Sequence, residues 1–460
     1  MAKRKKSPIT VPTLDVLEQI NVHAAGLDIG SEEIWACVPA NRDEQSVRVF
    51  PTFTVDLLAL ADWLSACQVE TVAMESTGVY WVPVYEILES RGIDVYLVNA
   101  RHVKNVPGRK TDILDCQWIQ QLHTYGLLRA SFRPPEEVCA LRSLARHRDN
   151  LIRYRSAHIQ HMQKALQLMN VKLTQVVSDI TGVTGLNIIR AIVAGERDPH
   201  RLARFRQAGC ARSQDEIAKA LHGNYKPEHV FVLMQALAQY DFYLLQIQEC
   251  DAKMETMYDA FLPSNPEHQA SPPPKPKRGK RRKNQAHFDL ATSLYHIIGV
   301  DLPAIDGIDA LTAQAIITEI GMDVSAWPTV KHFTSWLGLS PHNDKTGGKI
   351  IRSRTKKTQN RANLAFRVAA QSLTRSQSAV GAFYRRMRVR HGPAKAITAT
   401  AHKLARIVYF MLKNRTAYMD PGVTYYEQQY RDRTIRNLKR KAAAMGLELV
   451  PVPAQPESVS

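Results

Sequence analysis

Four carboxylate side chains near the start of the chain are placed where they could act together on a phosphodiester. Asp28 stands in GLDIG at the end of an apolar run, and Glu75 ends a second such run, TVAMES (71–76). Asp112 and Asp115 begin a helical pattern three residues apart, which places them on one helical face. Two magnesium ions about 3.5–4 Å apart would neutralise such a cluster and clamp the attacking and leaving oxygens. The pattern indicates a metal-dependent phosphoryl-transfer site, although each acid alone also fits a helix cap or a surface charge.

A second segment, residues 338–373, brings a hydroxyl group, glycines and cations together. A turn-forming SPHND (340–344) precedes Thr346, Gly347 and Gly348, and glycines beside a hydroxyl let the backbone approach a ligand closely. The cations that could neutralise phosphates around a reacting bond are Lys349, Arg352, Arg354, Lys356, Lys357, Arg361 and Arg367. From the chemistry alone, a basic loop that only grips DNA accounts for these residues at least as well.

The carboxylates belong to a region where short strand-like runs alternate with helical patterns. Runs rich in β-branched and aromatic residues predict strands, and the spacing of apolar residues predicts helices. The predicted strands are 24–30, 33–39, 47–53, 71–76 and 93–99, and the predicted helices are 55–67, 82–92 and 111–123. Three early strands followed by this alternation predict an α/β domain with a mixed sheet.

The sequence from about Pro134 is predicted to be mostly helical. Two long polar helices with apolar stripes, 136–169 and 229–262, are expected to form a coiled-coil-like pair with a smaller helical insert between them. A Pro-rich basic linker follows, with seven Lys or Arg among residues 275–283. Further on, residues 299–321 predict helix, glycine turn and helix, similar to a helix-hairpin-helix, and the remaining predicted helices are within 359–414 and at 431–446.

The charge balance indicates a polyanionic partner. The chain has 61 Lys and Arg against 43 Asp and Glu, a formal net charge of +18, which favours nucleic acid or an acidic membrane surface. Because the sequence has no apolar run of about 18 residues and no signal-peptide core, a soluble nucleic-acid binder is expected and a membrane partner is not. The six cysteines are scattered singly, which argues against a zinc ribbon and a disulfide framework.

Together these motifs resemble the DEDD transposases of the insertion-sequence 110 family, the bridge-RNA-guided recombinases. The N-terminal resemblance begins at GLDIG and continues through residues 74–119, where E-x-T-G-x-Y stands at 75–80 and K-T-D-x-x-D at 110–115. The C-terminal resemblance covers IDGIDALTAQAIITEIG and FTSWLGLSPHNDKTGG. The combination, spread over about 22–130 and 290–415, is specific, whereas each motif alone is much less so.

The resemblance implies a RuvC-like, RNase H-like fold for the first domain, with Asp28, Glu75, Asp112 and Asp115 as ligands of two Mg²⁺ ions. It also implies a nucleophilic serine after the GL-x-P segment, and the matching position here is Thr346. Threonine keeps the hydroxyl, but its methyl group restricts χ1 and crowds an in-line attack. Ser353 is a weaker candidate for the nucleophile. The residues expected to bind nucleic acid are Lys110, Lys349, Arg352, Arg354, Lys356, Lys357, Arg361 and Arg367.

The expected fold class is therefore α/β plus all-α. The expected segments are a basic arm (1–20), a RuvC-like DEDD catalytic domain (21–130), a helical coiled-coil region (131–262), a Pro-rich basic linker (263–287), a C-terminal transposase domain with a helix-hairpin-helix-like turn (288–420) and a basic tail (421–460). The Pro-rich linker and the enlarged helical insert are departures from compact members of the family.

The function that the resemblance implies is RNA-guided DNA strand cleavage and exchange for insertion-sequence transposition. The expected location is the bacterial cytoplasm, at the nucleoid. The expected partners are donor and target DNA, a structured guide RNA, and further copies of the chain as a dimer or tetramer, because pairing two DNA sites needs at least two protomers. Two alternatives remain open. One is a Holliday-junction-type nuclease in which the acids activate water without a covalent intermediate, and the other is an inactive DNA-binding remnant.

Overall fold

The computed structural model describes residues 18–76, 78–99, 112–261, 283–358 and 360–450, apart from the side chains of 112–114. The chain divides into two compact units, one that ends at Arg133 and one that begins at Pro134. The first unit is α/β and the second is mostly helical, which confirms the predicted fold class.

The secondary structure of the first unit follows the sequence prediction to within two residues at each end. Its strands are β1 (Ala24–Ile29), β2 (Glu33–Cys37), β3 (Val47–Pro51), β4 (Thr71–Glu75) and β5 (Asp94–Val98), and its helices are α1 (Thr54–Ala66), α2 (Trp81–Ser90) and α3 (Asp112–Thr124). The agreement is close because the apolar runs are short and are separated by clear turn residues.

The five strands form one mixed sheet in the order β3-β2-β1-β4-β5. β1, β2 and β3 are antiparallel neighbours, whereas β4 pairs with β1, and β5 with β4, in parallel. β1 and β4 are almost completely buried, as expected for central parallel strands that are covered on both faces. This mixed sheet is consistent with the RuvC-like fold that the resemblance implies.

Gly26 allows α3 to lie directly on β1. A Cβ atom at this position would stand 2.3 Å from Gln120 N and 2.4 Å from Cys116 O, so only glycine fits between the strand and the helix backbone. Further along the helix, the Gln120 side chain donates to Ala24 O at 3.4 Å. The later residues of α3 thus lie beside the start of β1, and the beginning of α3 lies towards the end of β1 that carries Asp28.

The second unit is built mainly of helices. Its long pair is α4 (Glu136–Leu168) and α9 (Pro227–Ala260), and the insert between them is α5 (Leu173–Val176), α6 (Val183–Val193), α7 (Pro199–Ala203) and α8 (Gln214–Ala220). The C-terminal elements are α10 (Leu290–Ile298), α11 (Ala310–Ile320), α12 (Val330–Trp336), β6 (Pro341–Thr346), β7 (Lys349–Thr355), α13 (Arg361–Ser372), α14 (Ala379–His391), α15 (Pro393–Asn414) and α16 (Gly422–Ala444).

A buried ion pair joins the two long helices. Arg148 of α4 donates through Nε to Asp251 Oδ1 of α9 at 2.5 Å, and the two residues are 2% and 0% exposed. The second carboxylate oxygen accepts from the backbone N of His287 at 3.1 Å and lies 2.8 Å from His287 Nδ1. Of the described helices, α9 alone is long and apolar enough, by length and composition, to cross a bilayer, and it packs lengthwise on α4.

The structure differs from the prediction in three parts of the C-terminal region, one of which is the tail, where α16 begins at Gly422 and not at residue 431. Residues 299–321 do not begin with an α-helix, because α10 ends at Ile298 and only a 3₁₀ turn at Leu302–Ala304 precedes α11. The prediction of a turn over SPHND was wrong, because its residues from Pro341 onward belong to β6. The turn is formed by the following Gly347-Gly348 pair, which is a sequence signal for a two-residue hairpin loop.

Candidate active site and nucleic-acid interface

Asp28 and Glu75 lie side by side at one edge of the central sheet. β1 and β4 are parallel and their register pairs Leu27 with Met74, so Asp28 and Glu75 occupy the next level, towards the carboxyl ends of the two strands. Both side chains are half-buried. The carboxyl ends of parallel strands are where a rigid sheet can present side chains to a ligand.

The helix α3 packs on the face of the sheet to which both carboxylates belong. Side chains alternate along a strand, so Asp28 shares the face of Gly26, which the α3 backbone approaches closely. Glu75 in turn shares the face of Ala73, which belongs to the same apolar cluster as Trp118 of α3. Asp115, in the first turn of α3, is half-buried.

The Cys116 thiol, next to Asp115 on α3, is fully buried. A hydrogen bond with Cys37, followed by burial and by charge interactions with Cys37 and Asp28, raises the pKa of Cys116. All six cysteines of the chain are free thiols.

The donor atoms at this edge suit a hard divalent cation. Carboxylate oxygens are the ligands that Mg²⁺ prefers, and no softer donor is required. Within the described ranges, no group of three or more His, Cys, Asp and Glu side chains is arranged to hold a metal ion. The side chain of Asp112 lies outside the described residues, so the structure describes three of the four predicted acids, Asp28, Glu75 and Asp115. Lys110 also lies outside the described residues.

Thr346 is the last residue of β6, at the tip of an exposed hairpin. Gly347 and Gly348 form a two-residue loop with φ values of +54° and +76°, the conformation in which glycine is favoured in a type I′ turn. Thr346 pairs with Lys349 across this turn, and both are exposed. Ser353 pairs with Asn343 instead, three residues and roughly 10 Å further down the ribbon.

Four of the predicted nucleic-acid-binding residues line one cavity at the foot of this hairpin. The cavity has a volume of about 540 Å³, and its charged lining residues are Lys356, Lys357, Arg361 and Arg367. None of its described lining residues is acidic. One cation is partly compensated, because Arg361 lies 3.6 Å from Asp149, so the cavity keeps a positive charge suited to phosphate.

The start of α13 adds to this positive charge. Asn360 caps the helix by accepting from Asn363 N at 3.1 Å, and Asn363 donates to Leu337 O at 2.7 Å. A helix N-terminus carries partial positive charge and free N–H groups, which favours anions. Asn360 and Asn363 are not among the residues predicted from the sequence, although an Asn that precedes an apolar helical pattern is a recognisable N-cap signal.

Three of the other predicted cations lie on β7. Lys349, Arg352 and Arg354 are exposed on the hairpin and do not line the cavity. The cations predicted to form one basic cluster within residues 349–367 therefore lie in two separate groups. One is a ribbon that carries Thr346 at its tip, and the other is a cleft at the ribbon's base.

Comparison with known proteins gives two matches to family models. The IS110 DEDD transposase model, described as transposase, matches residues 25–171, and a model described as transposase of the IS116/IS110/IS902 family matches residues 301–385. No curated protein matches the chain. The first match contains the sheet and all four predicted acids, and the second contains the hairpin and the cleft. The two matched regions amount to about half of the sequence, and both name the same family. The chain belongs to the IS110 family of transposases.

Proposed function

We propose that this transposase is an RNA-guided DNA recombinase, which cleaves and exchanges strands during insertion and excision of a mobile element. The observation that supports it most directly is that Asp28 and Glu75 are neighbours at the carboxyl ends of β1 and β4. The start of α3 lies at the same end of the sheet. Like charges brought together in this way repel each other unless cations accompany them, so the arrangement favours phosphoryl transfer over a purely structural role.

Asp28, Glu75, Asp112 and Asp115 would hold two Mg²⁺ ions. When bound, the ions supply positive charge that balances the charge developing on the attacking and leaving oxygens. The sheet and α3 fix the carboxylates in place, and the backbone contact at Gly26 sets the distance between these two supports.

Thr346 is the proposed nucleophile. Its Oγ1 attacks the scissile phosphorus, so that an Oγ1–P bond forms while the P–O bond to the departing sugar oxygen breaks. The hydroxyl proton leaves Oγ1, and a proton is taken up by the departing oxygen. Attack by the sugar hydroxyl of the second strand reverses the step, releases Thr346 and keeps the number of phosphodiester bonds constant. Lys345 and Lys349 beside Thr346 would offset the added negative charge.

The proposed partners are donor and target DNA, a structured guide RNA and further copies of the chain. The net charge of +18 supports binding through phosphates, and the exposed cations of the hairpin and cleft are the surfaces proposed to provide it. Within this proposal, residues 21–130 are the catalytic domain, 131–262 the coiled-coil region and 288–420 the transposase domain, joined by the linker 263–287. Two DNA sites require at least two protomers, which makes a homo-oligomer part of the proposal.

Substitution of the acids tests the metal site. Asp28→Asn, Glu75→Gln, Asp112→Asn and Asp115→Asn are each expected to abolish Mg²⁺-dependent cleavage of labelled DNA while nucleic-acid binding stays unchanged, because binding depends on the basic surfaces. Asp94→Asn is the matched control, since Asp94 is an exposed acid at the opposite end of the same sheet. A Glu75→Gln protein that recombines normally would remove Glu75 from the ligand set.

Substitution of the hydroxyl tests the covalent step. Labelled DNA of the element ends is incubated with Mg²⁺ and RNA transcribed from the flanking non-coding sequence, and a denaturing gel detects protein bound covalently to DNA. Thr346→Ala should lose both the adduct and strand exchange, whereas Thr346→Ser should keep or raise activity because the crowding methyl is gone. Ser353→Ala is the control and should behave as wild type.

The same gel separates the alternatives. Mg²⁺-dependent cleavage without an adduct, retained in Thr346→Ala, would favour a nuclease that activates water. Absence of any Mg²⁺-dependent cleavage would indicate a DNA-binding remnant. Loss of the adduct in Ser353→Ala rather than in Thr346→Ala would move the nucleophile to the middle of β7.

A further inference from the structure

A cavity of about 280 Å³ lies between the two long helices of the second unit, and it shares no lining residue with the cleft at the foot of the hairpin. α4 contributes Arg148 and Arg155 to its wall, and α9 contributes Tyr240. The loop at Asp179 and the segment 283–287 complete the lining. None of the residues predicted to act in recombination lines this cavity.

Arg155 is a buried cation without a matching acid. The residue is 7% exposed, and its Nη2 donates to Asn284 Oδ1 at 2.5 Å. Its Nε is buried without a hydrogen-bond partner, and no Asp or Glu among the described residues forms an ion pair with it. Burial, together with the charge of Arg148, lowers the pKa of Arg155. A buried charge in this state is costly unless an anion accompanies it.

The neighbouring cations are compensated within the chain. Arg148 is bound by the buried Asp251, and Lys283 lies 3.1 Å from Asp179 at the exposed rim. The charge that the cavity leaves unbalanced is therefore that of Arg155. Among the described residues, the Arg155 guanidinium donates a single hydrogen bond, to Asn284, which leaves most of its N–H groups available to a further acceptor.

We propose that this cavity binds a phosphate group, with Arg155 as the principal counter-ion and Lys283 at the rim. The planar guanidinium fork matches two phosphate oxygens. The volume is slightly below the range of about 300–1,000 Å³ for small-molecule pockets, which suits a phosphate with an attached sugar.

The phosphate can come from a nucleic-acid backbone or from free phosphate or a nucleotide. The first source rests on the proposed nucleic-acid-binding function, whereas the second does not. The site is therefore tested first with inorganic phosphate alone, on the full chain, by thermal unfolding against chloride at equal ionic strength. This arm involves no DNA cleavage, so it can succeed or fail independently of the recombinase proposal.

Arg155→Met is the informative variant, because it keeps an unbranched side chain and removes the charge. Phosphate should raise the Tm of the wild type by a few degrees and leave that of Arg155→Met unchanged. In phosphate-free buffer, Arg155→Met should unfold at or above the wild-type temperature, because an uncompensated buried charge has been removed. Arg153→Met, an exposed position two residues away, is the matched control and should respond to phosphate like the wild type.

Binding of single-stranded RNA across a salt series distinguishes the sources. If the backbone supplies the phosphate, Arg155→Met should weaken binding about 10- to 100-fold at low salt and reduce the salt slope by about one. If phosphate stabilises the wild type and RNA binding is equal in both proteins, the ligand is free phosphate or a nucleotide. The proposal is overturned if neither phosphate nor RNA distinguishes Arg155→Met from wild type, or if Arg155→Met is markedly less stable in phosphate-free buffer.

Discussion

Replacing Gly26 with alanine should displace α3 and thereby impair both stability and cleavage. The added Cβ would stand 2.3 Å from Gln120 N, whereas an ordinary contact needs about 3.4 Å, so the helix must move outward by about 1 Å. Overpacking of this kind costs about 1–3 kcal/mol, and the gain from replacing a strand glycine, about 0.5–1 kcal/mol, offsets only part of it. We expect the Tm of the first unit to fall by roughly 5–10 °C.

The effect on cleavage should exceed the effect on stability. A displacement of about 1 Å at a reacting centre can reduce the rate by about 100-fold, and α3 carries two of the four proposed ligands. The assay is Mg²⁺-dependent cleavage of labelled DNA at a temperature where circular dichroism shows Gly26→Ala to be folded. Gly92→Ala is the control, because no atom lies within 4 Å of its added Cβ, and its φ of +75° adds backbone strain of about 1–2 kcal/mol without displacing a neighbour.

Two results would refute this reasoning in different ways. A Gly26→Ala protein with wild-type Tm and wild-type cleavage would show that the strand and helix do not meet as closely as described. A protein that loses stability but cleaves at the wild-type rate would show that the reaction does not depend on the position of α3. Asp112 and Asp115 would then not belong to the site.

Two further perturbations concern buried ionisable groups. Burial lowers the pKa of His123 to about 4, so the folded state resists the proton that the unfolded chain accepts near pH 6.5. Stability should be constant above that pH and fall by about 3 kcal/mol as the pH drops from 6.5 to 4, and urea unfolding should show a smaller fall in His123→Gln. Asp251→Ala leaves Arg148 buried without its partner and should cost about 3–5 kcal/mol in urea unfolding. Asp241→Ala on the same helix breaks a half-exposed pair and should cost less than about 1 kcal/mol, so equal losses would contradict this account.

The α/β unit could be predicted from the sequence because each strand is a short apolar run, and Asp28 and Glu75 lie at the ends of two of these runs. The sequence does not predict the register that places Asp28 beside Glu75, because register depends on pairing between strands that are far apart in the chain. The close approach at Gly26 was also not predictable, because the helix that makes it lies about 90 residues further on.

The hairpin shows the opposite case, in which a local signal was present and was interpreted wrongly. Pro341 and Asn343 are typical turn residues, and their presence led to a predicted turn where β6 begins. Gly347 and Gly348 between two polar runs were the stronger signal, because a two-residue loop with positive φ at both positions strongly favours glycine. The strands themselves lack the apolar alternation that normally identifies a half-buried pair, because nearly all of their side chains are exposed.

The exposure of that ribbon has a consequence for when the transposase can act. A two-stranded hairpin without a covered face has little intrinsic stability, so its own residues do not fix the attacking angle of a hydroxyl at its tip. Under the proposed function, Thr346 becomes a competent nucleophile only after bound nucleic acid or another protomer covers the ribbon. Part of the binding free energy of the assembly is then used to order Thr346, which lowers the apparent affinity for nucleic acid. A protomer outside the assembly would not attack DNA. Recognition and chemistry would be coupled through the same strand pair, so a mismatched assembly would lose reactivity as well as binding.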